Sequence, residues 1–240
     1  MKSIVFLVLL IPLLASSQPS GVKWDYPVKP GTDAWKSLKN NAEKVQACQI
    51  PSEIIATMNT GELLNVCLDY PLLPDIFAFS NIKDGFSKFE SDFNGFRELI
   101  RRDDAAKELL KRYKTLDPLS IPNEGSIMEK GNYVFRFSFI ELFISYPLVV
   151  EKCSTNEKKE IVRELLLKKE KKKSRLDWYQ DTGMQTNYFA IVNMLQSDVG
   201  KFQSGHEMTE ISPYIYSGIL NNPDVLNQID QLAAEYLKNN

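Results

Sequence analysis

The sequence has little histidine: His206 is the single one in 240 residues. A site that needs two imidazoles from one chain is therefore excluded, which removes most zinc hydrolase sites. Residues 206–210 begin like the zinc-protease motif His-Glu-x-x-His, but Glu210 stands where the second histidine is required. Gly205 before this segment and Pro213 after it favour a loop. We predict no metal site.

Cysteine is also scarce, since the chain has three. Three cysteines do not make a disulfide scaffold, and an odd number leaves at least one thiol unpaired. Cys48, Cys67 and Cys153 all lie near apolar residues, which is typical of buried small hydrophobic side chains. The alternatives are a Cys48–Cys67 disulfide and, less favoured, a catalytic cysteine that acts with His206.

Net charge is small, at -2. A chain with this balance is not a polycation that coats nucleic acid, so a nucleic-acid partner is not expected. The patterns Gly-x-Gly-x-x-Gly and Gly-x-Ser-x-Gly are absent, as is a phosphate-binding loop, and we predict no cofactor. A hydrophobic fraction of 43% is ordinary for a globular protein and supplies enough apolar material for a core.

Long apolar runs are missing except at the N-terminus. Residues 4–14 are apolar apart from Pro12, follow Lys2, and precede the small residues Ala15, Ser16 and Ser17. This order is typical of a secretory signal peptide, and the run is too short to cross a bilayer. We predict cleavage near Ser17 and a protein that is secreted or periplasmic, with no membrane span.

The remaining chain predicts an all-α protein. After an extended N-terminal segment, residues 18–31, we predict a single compact multi-helix domain over residues 32–240, because apolar residues recur at helical spacing. Residues 132–146 are apolar almost all round, which favours a helix buried on most sides. Residues 62–72 and 139–148 both run into Tyr-Pro-Leu, which suggests two stacked helical-hairpin repeats, as in an α-α superhelix.

Glu141 is the candidate catalytic residue, because it lies inside this most apolar segment. Burial raises the pKa of a carboxyl group, as a general acid requires. Glycoside cleavage needs a second carboxylate nearby, for which Asp69 and Asp75 are candidates. The alternative is a structural pairing of Glu141 with an arginine, such as Arg136 in the same segment, or with a tyrosine.

A basic run is the candidate anion-binding site, and its members are Lys168, Lys169, Lys171, Lys172, Lys173 and Arg175. Such a run can bind phosphate or an anionic polymer. Cations are also favoured at the end of a helix by the helix dipole, which predicts an ordinary solvated helix end instead.

Several short motifs lie in the first half of the chain: YPVKPGT at 26–32, CQIP at 48–51, DYPL at 69–72, FNG at 93–95, and REL at 97–99 before DDA at 103–105. On these motifs, residues 26–116 resemble a family of exported bacterial all-helical proteins with no assigned activity. The resemblance implies a secreted helical protein and supplies no catalytic residues.

The sequence thus favours a binding, interaction or structural module, with a protein or glycan partner outside the cytoplasm. Two alternatives remain open. One is a secreted hydrolase of cell-wall glycan that uses Glu141 as its acid, and the other is a binder of anionic polymer through the basic run. An enzyme is the less favoured class.

Overall fold

The computed structural model describes residues 24–197, 207–218, 222 and 224–238. These residues form fourteen α-helices and one 3₁₀ helix, and no strand lies among them, which confirms the predicted all-α class. The predicted signal peptide and His206 lie outside the described residues. A bilayer-crossing helix is not found within the described part of the chain.

The helical elements of the described residues are of very different lengths, from 4 to 19 residues. In chain order they are α1 (Asp33–Lys36), α2 (Asn41–Ala47), α3 (Ser52–Thr57), α4 (Thr60–Leu68), the 3₁₀ helix (Leu73–Ala78), α5 (Ile82–Asp92), α6 (Asn94–Leu99), α7 (Ala105–Thr115), α8 (Ile127–Ile144), α9 (Pro147–Glu151), α10 (Thr155–Lys173), α11 (Leu176–Tyr179), α12 (Asp181–Gln196), α13 (Glu207–Ser217) and α14 (Asp224–Lys238).

Side-chain caps decide where several helices begin. Thr32 as a cap with Asp33 after it predicts one helix over residues 33–47, but the structure interrupts it before Asn41. The side chain of Asn40 accepts a hydrogen bond from the backbone N–H of Glu43, so a new helix starts there. The expectation of an unbroken helix is wrong because this local cap competes with continued helical pairing.

Helix α8 starts five residues earlier than the predicted segment 132–146. Ser126 and Glu129 form a capping box, in which each side chain accepts a hydrogen bond from the other residue's backbone N–H. The glycine at position 131, which favoured a loop, lies inside the helix instead.

Helix α13 corrects a second expectation. The segment around Pro213 was predicted to be a loop, yet residues 207–217 are helical with Pro213 inside the helix. The hydroxyl of Ser217 donates a hydrogen bond of 2.8 Å to the carbonyl oxygen of Pro213, one turn before it.

The buried apolar side chains of the described residues form one cluster that runs from Tyr26 to Tyr236. Helix α8 lies at its centre and packs against α12, and α12 also packs against α10 and α14. The extended segment before α1 joins this core, because Tyr26 is buried and its hydroxyl donates a hydrogen bond of 2.9 Å to the carbonyl oxygen of Val66.

The two Tyr-Pro-Leu elements continue in different ways. The chain turns at Pro71 into the 3₁₀ helix, whereas Pro147 is the first residue of α9. The helices before them also differ, since α4 has 9 residues and α8 has 18. Duplication of a helical hairpin therefore stays a prediction.

Candidate functional site

Glu141 lies at the centre of a buried polar cluster and is fully shielded from solvent. Its Oε1 accepts hydrogen bonds from the Tyr113 hydroxyl at 2.5 Å, the Lys172 ammonium at 2.6 Å and the Asn187 amide at 3.0 Å. Its Oε2 accepts one from the Thr186 hydroxyl at 2.7 Å. These partners belong to α7, α10 and α12, so four helices converge on one carboxylate.

Lys172 is equally buried, and its ammonium also donates to the carbonyl oxygen of Gly183 at 2.9 Å. The rings of Phe137 and Tyr179 each lie 5.4 Å from its Nζ, which adds cation–π attraction. Burial lowers the pKa of the Lys172 ammonium, and the Glu141 carboxylate opposes that shift. A buried charge of this kind is tolerated only when it is paired and hydrogen-bonded.

This geometry matches a structural pairing of Glu141 and differs from the geometry that a general acid needs. The partner is Lys172 rather than Arg136, whose guanidinium instead lies 2.6 Å from Asp69. Asp75 lines a small pocket between the 3₁₀ helix and α5. No carboxylate is among the hydrogen-bond partners of Glu141, and no open cleft reaches it through the described residues.

The basic run is paired with protein groups along its whole length. Three of its lysines are buried: Lys168 with Glu164 at 3.0 Å, Lys169 with Asp230, and Lys172 with Glu141. The more exposed members pair with Asp117, Glu170 and Asp177. These side chains therefore tie α10 to its neighbours, and the picture of a solvated helix end does not describe them.

The three cysteines are free and buried, so Cys48 and Cys67 are not bridged in this structure. Burial raises the pKa of the Cys48 and Cys153 thiols to about 11, and that of Cys67 well above its ordinary value. Raised pKa values disfavour the thiolate, which is the nucleophilic form. The thiols are thus poor candidates for catalysis.

A groove of about 550 Å³ lies among the described residues. We call it the α12 groove, because residues of α12 form one of its walls. Its other walls come from α5, from the junction of α8 and α9, and from α13. Its apolar lining consists of Ile82, Phe86, Leu142, Tyr146, Pro147, Phe189 and Ile215.

The polar side chains that line the α12 groove are Lys83, Ser87, Ser145, Asn193, Gln196 and Ser212. The Asn193 amide donates a hydrogen bond of 2.8 Å to the carbonyl oxygen of Phe189, and within the described residues its own oxygen accepts none. Ser145 is already engaged, because its hydroxyl donates to the carbonyl oxygen of Leu142 at 2.8 Å. Gln196 is exposed at the same wall. A mainly apolar groove with a small number of placed polar groups is the usual form of a small-molecule site.

Nothing in the sequence marked the α12 groove. Its apolar wall residues are ordinary core-type side chains whose sequence positions span 82 to 215. Amphipathic periodicity shows which residues leave the solvent, but it does not show where two buried faces fail to meet.

An exposed apolar face lies on the first half of α8. The side chains of Ile127 and Met128 are 82% and 72% exposed, and Phe135 is 42% exposed. Beside them is a shallow groove of about 370 Å³ whose lining, which includes Val134 and Trp178, carries no charged residue. Exposed apolar groups that are this close together are typical of interaction surfaces.

Comparison of the chain with protein-family models, with curated proteins and with solved structures finds no match. The resemblance of residues 26–116 to exported bacterial proteins therefore stays a prediction. Among the described residues, no three His, Cys, Asp or Glu side chains are grouped so that they could hold a metal ion.

Proposed function

We propose that this protein is an exported binding protein that takes a small, mainly apolar molecule into the α12 groove. The observation that carries the proposal is the groove itself: about 550 Å³, lined chiefly by aromatic and aliphatic side chains and open to solvent at one wall. Ligand sites of this volume hold small organic molecules and bury most of their surface. Burial of apolar ligand surface supplies roughly 25 cal/mol per Å².

The polar groups of the groove define the ligand further. The unpaired oxygen of Asn193 accepts a hydrogen bond, so a matching ligand carries a hydroxyl or amine donor next to its apolar body. Three aromatic rings, those of Phe86, Tyr146 and Phe189, favour a planar apolar body through offset and edge-to-face contacts.

Titration with N-phenyl-1-naphthylamine tests the proposal, because this probe is planar and apolar, carries one N–H donor, and fluoresces strongly once it leaves water. We expect saturable fluorescence with the wild-type protein. Ile215→Arg places a charge in the groove and should raise Kd at least tenfold. Asn193→Leu removes the acceptor and should weaken binding by about 1 kcal/mol.

Leu167→Arg is the matched control, since Leu167 is an exposed leucine of α10 outside the groove. Its Kd should equal that of the wild type. Absence of saturable binding to the wild type, or equal Kd values for Ile215→Arg and Leu167→Arg, would contradict the proposal.

Export is the second part of the proposal, and the apolar run at residues 4–14 with its small residues at 15–17 supports it. Intact-mass measurement of the protein recovered from its native host tests this part. We expect a chain that begins at Gln18. A mass that includes residues 1–17 would contradict it.

The alternative functions are less well supported. A hydrolase would need Glu141 at an open cleft, but its carboxylate is enclosed and has four partners. A binder of anionic polymer would need cations that are available to a ligand, but each cation of the run at residues 168–175 has a carboxylate partner.

A second candidate function is favoured by the exposed face of α8. Ile127 and Met128 project beside an uncharged groove, so a second copy related by twofold rotation can insert these side chains into it and receive the same from its partner. Sedimentation velocity tests this: we expect concentration-dependent dimers that Ile127→Ser with Met128→Ser abolishes. A wild type that stays monomeric at high concentration would contradict it.

A further inference from the structure

A second groove, of about 500 Å³, lies between the start of α4 and the length of α7. We call it the α4–α7 groove. Unlike the α12 groove, it is lined mainly by polar and charged side chains. It shares no lining residue with the α12 groove or with the buried Glu141 cluster.

Charge is arranged along this groove from one end to the other. At the first end, the Thr60 hydroxyl donates to Asp104 Oδ1 at 2.5 Å, and Glu62 closes the capping box of α4. One to two turns further along α7 come Glu108, which pairs with Lys111 at 3.2 Å, and then Arg112. The groove therefore has an acidic end at Asp104 and Glu62 and a basic end at Arg112.

Arg112 lacks an ion-pair partner among the described residues. It is half-buried and lines the groove, its Nε is buried without a hydrogen bond, and no carboxylate of the described residues lies within ion-pair distance of it. Arg102 and Arg136, which are comparably buried, pair with Glu98 and Asp69. The Nε is enclosed by protein, but the terminal N–H groups of the Arg112 guanidinium donate to no described residue, so they are open to an acceptor in the groove.

The chemistry of the missing partner follows from the guanidinium. Its planar fork of N–H donors fits a carboxylate through two parallel hydrogen bonds. The acidic end favours a cationic group on the ligand, because within the described residues Asp104 and Glu62 accept hydrogen bonds but have no cationic partner. A ligand with a carboxylate at one end and an ammonium at the other satisfies both ends.

The distance between the two ends sets the length of that ligand. Asp104, the N-cap of α7, and Arg112 are eight positions apart, and a helix rises about 1.5 Å per residue, so the two charged ends are about 12 Å apart along the helix. A free amino acid is too short for this, whereas an extended chain spans about 3.5 Å per residue. We infer that the α4–α7 groove binds a zwitterionic short peptide of about three residues, with its carboxylate on Arg112 and its ammonium near Asp104 and Glu62.

Isothermal titration with L-alanyl-L-alanyl-L-alanine at neutral pH and low salt tests this inference on the full chain. We expect measurable binding to the wild type and a Kd raised at least tenfold in Arg112→Gln. Arg101→Gln is the matched control, because Arg101 is an exposed arginine that does not line the groove. Its Kd should equal that of the wild type.

Two modified probes test the two ends separately. The tripeptide amide lacks the carboxylate, and the N-acetyl tripeptide lacks the ammonium, so each should bind at least tenfold more weakly than the free tripeptide. Wild-type protein that does not bind the free tripeptide, Arg112→Gln that binds it as tightly as Arg101→Gln, or equal binding of either modified probe overturns the inference.

The outcome is independent of the proposed function. Arg112→Gln should leave the titration with N-phenyl-1-naphthylamine unchanged, since the two grooves share no residue. That titration also shows that the variant is folded, so a loss of peptide binding by a misfolded protein is recognised.

Discussion

The ammonium of Lys172 lies 2.6 Å from Oε1 of Glu141, and neither side chain has any exposed surface. The pair joins α10 to α8, and Asn187 and Thr186 extend it to α12. A single carboxylate in the apolar centre of α8 thereby fixes how three long helices meet.

Removal of one member of this pair should lower the stability of the fold. Lys172→Met leaves the Glu141 carboxylate buried without a counter-charge, and we expect the free energy of unfolding to fall by about 3–5 kcal/mol. Urea denaturation followed by circular dichroism measures it. The double variant Lys172→Met with Glu141→Gln should recover more than half of the loss, because an amide oxygen still accepts from Tyr113 and Asn187. Equal stability of wild type and Lys172→Met would show that the pair contributes nothing.

Two glycines inside helices should respond to alanine in opposite directions. A Cβ at Gly131 in α8 meets nothing within 4 Å, so Gly131→Ala should stabilise by about 0.5–1 kcal/mol through helix propensity. A Cβ at Gly85 in α5 would lie 2.2 Å from the carbonyl oxygen of Ile76, so Gly85→Ala should destabilise by about 1–3 kcal/mol. Thermal unfolding of the two variants compares them, and the same sign for both would contradict the packing at Gly85.

The capping boxes predict an acid-dependent part of stability. Hydrogen bonds from Ser126 lower the pKa of Glu129, and those from Ser154 lower the pKa of Glu157. A carboxyl group whose pKa is lowered by folding stabilises the fold above its unfolded pKa of about 4.3, and this contribution is lost as the pH falls through the folded pKa. The wild type should therefore lose stability from about pH 5 downward.

The variant Glu129→Gln with Glu157→Gln isolates this effect. We expect it to be less stable than the wild type at pH 7 and to approach the wild type below about pH 3, where the native carboxylates are protonated. Urea midpoints across this pH range measure the difference. A constant gap between the two proteins at all pH values would argue against the lowered pKa values.

The three thiols should be unreactive in the folded protein. Because Cys48, Cys67 and Cys153 are free and buried with raised pKa values, a chromogenic disulfide reagent at pH 8 should label none of them natively and all three in denaturant. One labelled thiol in denaturant would reveal a disulfide and restore the Cys48–Cys67 bridge as an explanation.

The sequence predicted the helical class, because the spacing of apolar residues along a helix is a local pattern. Glu141 was also visible, since a lone carboxylate in an apolar segment stands out. The partner of Glu141 could not be predicted. Lys172 lies in a run of lysines that is typical of a solvated helix end, and only the packing of α8 against α10 brings it to Glu141. The break at Asn40 escaped notice because a cap and an exposed helical asparagine share the same sequence context.

The two grooves could not be predicted for a related reason. Arg112 is one of four basic residues on the amphipathic helix α7, and its missing partner becomes visible only once α4 lies beside α7. A groove forms where two packed surfaces do not touch. The pattern of apolar residues along a chain indicates which residues are buried, but it does not indicate where such gaps occur.

Glu141 also sets an order of events during synthesis. The chain emerges from its N-terminus, so α8 is complete before Lys172, Thr186 and Asn187 exist. Until then, burial of α8 in a core would remove the Glu141 carboxylate from water without its counter-charge, which is unfavourable. A nascent chain shorter than about 187 residues thus lacks the full set of partners with which the Glu141 carboxylate is buried in the finished fold.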